Sequence, residues 1–88
     1  MSDLYSLGGH YHTRHMHEKA WECWREAARA HEAESAWALG LSLLLRGTSS
    51  RHFRESLFWL RVCPPGKEAV RRAALGRGLH KIAEREIP

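Results

Sequence analysis

The sequence predicts an all-α protein built from repeated helix pairs, and three observations carry that prediction. Apolar residues recur at three- and four-residue steps along most of the chain. Clusters of glycine and proline cut this periodicity into pieces of helix length. Short groups of residues also return at a fixed interval, the mark of a repeat architecture. With 43% hydrophobic and 27% charged residues in a chain of 88, the composition is that of one folded domain and not of a disordered segment.

Near the N-terminus, Gly8-Gly9-His10-Tyr11-His12-Thr13-Arg14 is polar and glycine-bearing and reads locally as a turn. From Met16 the pattern is helical: Met16, Ala20, Cys23, Trp24, Ala27 and Ala28 form one stripe, with Glu18, Lys19, Glu22, Arg25, Glu26 and Arg29 on the other face. Over 33–45 the apolar residues (Ala36, Trp37, Leu39, Leu41, Leu43, Leu44, Leu45) go nearly all the way round, so that helix must be covered on more than one side. Gly47-Thr48-Ser49-Ser50 ends it and offers Ser50 as N-cap of a helix carrying Phe53, Leu57, Phe58, Trp59, Leu60 and Val62. Pro64-Pro65-Gly66 stops that helix, because proline has no N–H to donate and clashes with the preceding turn. A last helix from about Lys67 carries Ala69, Val70, Ala73, Ala74, Leu79, Ile82 and Ala83 and frays toward Pro88.

The repeat is visible in residue pairs. Leu39-Gly40 returns 36 residues later as Leu75-Gly76, and Ala20 with Arg25 returns at the same interval as Ser56 with Arg61. Leu7-Gly8 stands 32 residues before Leu39-Gly40, the missing four falling between the two helices of a repeat. In this register 4–11 becomes a degenerate first helix. Gly8, Gly40 and Gly76 remove a side chain where one helix crosses its partner, and Ala20 and Ser56 are the small residues opposite. Trp24, Trp59 and Leu60 fill the space between pairs; Trp21 and Trp37 do not fit such positions and are expected at the surface, where tryptophan often marks a binding hot spot.

Leu7-Gly8, Tyr11, Ala20, Trp24 and Ala27 resemble the signature of a tetratricopeptide repeat. The 36-residue spacing, with Trp24-Arg25-Glu26-Ala27-Ala28, Ala38-Leu39-Gly40-Leu41, Arg46-Gly47 and Ser56-Leu57-Phe58-Trp59-Leu60-Arg61, resembles the Sel1-like variant more closely, over nearly the whole chain. Cys63-Pro64, standing where the first repeat has Ala27-Ala28, departs from the pattern, as does Gly9. The resemblance implies a right-handed superhelix of antiparallel helix pairs, an α-solenoid with repeats at about 2–30 and 33–63 and a half repeat at about 67–84. It further implies that first helices line a concave groove, through Tyr5, Gly9 and His12, then Trp37, Leu41, Leu44 and Leu45, then Arg77, His80 and Lys81. A groove apolar in the middle and basic at the far rim implies an adaptor or small chaperone, such as those of bacterial secretion systems. Its partner would be another protein's amphipathic or partly acidic helix or peptide.

Other classes find less support. No stretch reaches the ~20 apolar residues of a membrane span, and no basic-then-apolar leader opens the chain, so a cytoplasmic protein is expected. There is no glycine-flanked serine motif and no phosphate loop, so neither an enzymatic role nor a cofactor is expected. Cys23 lies in an apolar stripe, and it and Cys63 read as buried free thiols. His10, His12, His15 and His17 could hold a metal only if the segment folded back on itself, because a dedicated site needs three or four converging ligands. The net charge of +4 favours an acidic partner. Nucleic-acid binding is the competing class, through Lys67, Arg71, Arg72, Arg77, Lys81 and Arg85, but these are dispersed round the last helix instead of forming one stripe.

Overall fold

A computed structural model describes residues 3–62 and 64–86, and over them the chain forms five α-helices. They are α1 (Asp3–Thr13), α2 (His17–Arg29), α3 (Ala33–Arg46), α4 (Ser50–Leu60) and α5 (Glu68–Glu86). Cys63 and Pro88, for which burial and fraying were expected, lie outside the described residues.

Histidine ends two of the helices. His15 (φ 61°) and His31 (φ 65°) are left-handed. The N–H groups of His15 and Met16 bond the carbonyls of His12 and Tyr11, and those of His31 and Glu32 bond Ala28 and Ala27 in the same pattern. These are Schellman closures, usually completed by glycine because it has no Cβ to strain. Histidine is among the few other residues enriched in this region. As the repeat register requires for 4–11, the glycine-bearing stretch is helical, as far as Thr13, and the turn that its local composition suggests lies one step later, at 14–16. At the start of α4 the cap is Ser49 and not Ser50: its hydroxyl accepts from the His52 N–H at 3.3 Å, while His52 Nδ1 accepts from the Thr48 N–H at 3.0 Å. α4 stops at Leu60, ahead of the prolines.

Each helix packs on the one that follows it, and α3 also touches α5, giving a body of 42 × 28 × 20 Å. Two clusters form the core. Ala20, Trp21 and Trp24 of α2 meet Leu39 and Leu43 of α3 in one; Trp37 and Leu44 of α3 meet Leu60 of α4 and Ala74 of α5 in the other. Trp21 and Trp37, expected at the surface, are only 3% and 7% exposed. Trp21 is accommodated because Ser42 takes its indole N–H at 2.8 Å, the requirement for burying that polar edge. Trp59, expected in the core, is half-buried with its N–H on Glu55.

The repeat register has a three-dimensional counterpart. A Cβ on Gly8 would lie 2.5 Å from Trp24 Cδ1, and a Cβ on Gly40 would lie 2.9 Å from Leu60, the residue 36 places after Trp24. Ser56, opposite Gly40, donates to the Gly40 carbonyl at 2.7 Å. Both within-pair connections, 14–16 and 47–49, have three residues, so the four extra residues between glycine and small partner in the second repeat are helical, one in α3 after Gly40 and three in α4 before Ser56. Gly76 breaks the register. Nothing lies within 4 Å of its built Cβ, and Gly78 makes the close approach instead, 2.7 Å from Leu57.

Arg25 and Glu55 join α2 to α4 by two parallel hydrogen bonds of 2.6 and 2.8 Å. Burial pushes the Glu55 carboxyl up, but the hydrogen bonds from Arg25 and Trp59 and the charges of Arg25 and His52 outweigh it and hold it below its ordinary 4.5. The pair's stabilisation is thus present above 4.5 and is lost as pH falls through the lowered value. Because both groups are partly solvated, Glu55→Gln is expected to cost only about 0.5–1.5 kcal/mol near pH 7. Urea denaturation should show that difference shrinking in acid.

Candidate functional site

The residues expected to face a groove fall into distinct environments. Leu41 is half-buried and Leu45 is 61% exposed, and together they form a ridge on α3 with a cleft on each side. On the α1 side the cleft is about 270 Å³, bounded by His12 and Arg46 with Trp24 at its wall. On the α5 side it is about 240 Å³, bounded by Val70, Ala73 and Arg77. The odd-numbered helices thus share one apolar face, and the charged groups lining its clefts, Arg46 and Arg77, are both basic, as His12 is when protonated.

Trp37 lines neither cleft, and Leu44 reaches one of them only as part of its floor. Leu44 is 2% exposed, and both residues are core, because α5 covers the side of α3 that had been expected to stay open. Tyr5 is half-buried between α1 and α2, where its carbonyl accepts the Trp24 indole N–H at 3.1 Å. Lys81 turns inward: its ammonium donates to the Leu44 carbonyl at 2.8 Å and sits 5.3 Å from the centre of the Phe53 ring. His80 is exposed beside Glu84, one turn away, and lines neither cleft. Of the expected residues, the structure therefore gathers His12, Leu41, Leu45 and Arg77 at the clefts, with Leu44 reaching one wall from the core.

Arg46, Val70 and Ala73 belong to this face and were not singled out from sequence. Val70, Ala73 and Arg77 stand at three- and four-residue steps, a signal that was available but that the repeat signature, anchored on Leu75-Gly76, obscured. A larger cleft of about 450 Å³ also went unanticipated. It lies where the ends of α2 and α4 face each other, lined by Ala28, Ala36, Phe58, Trp59 and Val62, with Phe58 57% exposed.

Cys23 is half-buried, and burial followed by the charges of Glu22 and Glu26 pushes its thiol up, away from the reactive thiolate. Among the described residues no group of three or more His, Cys, Asp or Glu converges as a metal site requires, although the His12 and His17 rings are 5.3 Å apart. No helix is long and apolar enough to cross a membrane among the described residues.

No family model, no curated protein and no solved structure matches this chain.

Proposed function

We propose that this protein is an interaction module, an adaptor or small chaperone, that holds a partner's amphipathic helix or extended peptide along the face shared by α1, α3 and α5. The observation that supports the reading best is the Leu41–Leu45 ridge between two clefts whose charged lining is basic. An apolar ridge with flanking grooves suits alternating apolar anchors, and basic flanks favour acidic residues between them. The helix pairs packed in sequence order are consistent with a Sel1-like or tetratricopeptide-like right-handed superhelix of about two and a half repeats, which presents such a face on its concave side. A cytoplasmic chaperone for a secreted subunit, as in bacterial secretion systems, is the particular case this reading favours.

Two of the basic residues that motivated a nucleic-acid role are engaged in the fold. Lys81 and Arg85 both lie over the Phe53 ring, at 5.3 and 5.4 Å.

A photo-crosslinking residue at Leu45 tests the reading in the native host. It should trap a protein partner, while the same residue at Phe58, on the other face, should not. Leu45→Asp should abolish capture and shift stability by no more than about 0.5 kcal/mol, since the position is already exposed. Equal trapping from Phe58, or capture surviving Leu45→Asp, would remove the proposed face.

A further inference from the structure

α1 lies closely along α2, but the residue it buries fully is Gly8; Tyr5 and Tyr11 pack half-buried against the core, and the Trp24 indole bonds the Tyr5 carbonyl. At its C-terminal end the joint is made of imidazoles. The His12 ring is 5.3 Å from His17 and 5.6 Å from Trp24; His15, in the connection, is 6.1 Å from His17; and His17 stacks on Trp21 at 6.3 Å. The Nδ1 atoms of His12 and His17 are buried and make no hydrogen bond. Neutral rings tolerate that, but charged ones are penalised.

The charges that act on His17 are of one sign. His12 from α1, His15 from the connection and Arg46 from α3 act on His17. Lys19 of α2 reaches over the Tyr11 ring of α1 at 5.7 Å, and His52 of α4 stands across the Trp21 ring at 5.0 Å. The α2 carboxylates Glu18 and Glu22 act instead on Arg25. We infer that the α1–α2 joint is a proton-operated latch: a neutral His17 keeps α1 docked, and its protonation, with the His12 ring and Arg46 alongside, drives α1 off.

The direction follows from linkage. Burial first, then the charges of His12, Arg46 and His15, hold His17 below its ordinary 6.5, so the docked state binds protons more weakly than the released one. Docking is therefore at full strength above 6.5 and weakens as pH falls below it. His12 and Arg46 also line the cleft between α1 and α3, so release would open one end of the capture face. Only this last consequence rests on the function proposed above.

Amide hydrogen exchange on the chain alone, corrected for intrinsic rates and compared at about pH 7.5 and about pH 5.5, tests the latch. Protection of α1 amides should fall by about tenfold for each unit separating the docked and released values of His17, while α3 and α4 keep theirs. His12→Gln with His17→Gln should remove the fall, and Arg46→Gln alone should reduce it. The latch is overturned if α1 protection is the same at both pH values, if it falls in step with α3 and α4, or if the double variant still shows the loss. No partner is present in this measurement, so its outcome is independent of whether Leu45 captures one.

Discussion

Leu44→Asp is expected to abolish the cooperative unfolding transition, whereas Leu45→Asp, one residue along the same helix, leaves it in place. Leu44 is 2% exposed and packs with Trp37, Leu60 and Ala74, and its side chain also approaches the backbone of Gly78. Lys81, which reaches this turn, already bonds the Leu44 carbonyl and lies over the Phe53 ring, and Arg77 stands at the exposed rim of the cleft. A carboxylate placed among the buried apolar neighbours of Leu44 loses its hydration, and such changes belong to the class costing upward of about 4 kcal/mol. A domain of this size has a total of only about 5–15 kcal/mol to lose. Leu44→Ala, which leaves a cavity but no charge, should cost about 2–5 kcal/mol and keep the transition measurable. Circular dichroism melts of the three variants decide the matter: a folded Leu44→Asp would mean that α5 does not cover this side of α3.

The second large effect concerns glycines that look alike in the sequence. Gly8→Ala and Gly40→Leu are expected to destabilise, and Gly76→Ala to stabilise. At Gly8 the new methyl would collide with the ring of Trp24, which is fixed in the core and holds the Tyr5 carbonyl, so the ring has to move and the hydrogen bond goes with it. At Gly40 the obstacle includes the Leu60 backbone nitrogen at 3.2 Å, which cannot rotate away. Overpacking of this kind costs about 1–3 kcal/mol, more than leucine's better helix propensity returns. At Gly76, with open space around the site, only the propensity term remains, a gain of about 0.5–1 kcal/mol. Urea midpoints of the three variants should therefore move in opposite directions. A loss at Gly76 equal to that at Gly40 would show that the repeat register, and not local packing, predicts these positions.

That trio also shows what the sequence makes legible. The helices, their order and two of the three close crossings follow from periodicity and from the Leu-Gly pairs, because each depends on residues near in sequence. Gly76 has the same local signature as Gly40, but nothing lies within 4 Å of a Cβ there, and no local pattern carries that information. Trp37 and Leu44 were misplaced for a related reason. A helix apolar on every side says that much must be covered, but whether the final element covers it depends on the path of the chain after Pro64-Pro65-Gly66. Burial of Trp21 turns on one distant hydroxyl, Ser42, and helix closure at His15 and His31 turns on a backbone conformation that glycine would have advertised. Within the candidate site, His12, Leu41, Leu45 and Arg77 follow from the repeat resemblance, whereas Arg46 and Val70 depend on which helices are neighbours.

α3 contributes Leu39 and Leu43 to one core cluster and Trp37 and Leu44 to the other, so neither cluster exists without it. In time as well as in space this makes it the hub. Contacts between successive helices close short loops, which places the chain among rapid folders of low contact order. The expected rate-limiting encounter is the meeting of α3 with either neighbour, the outer helices adding afterwards. Substitutions in the buried stripe of α3 should slow refolding, while those at the α1 and α5 contacts should chiefly hasten unfolding.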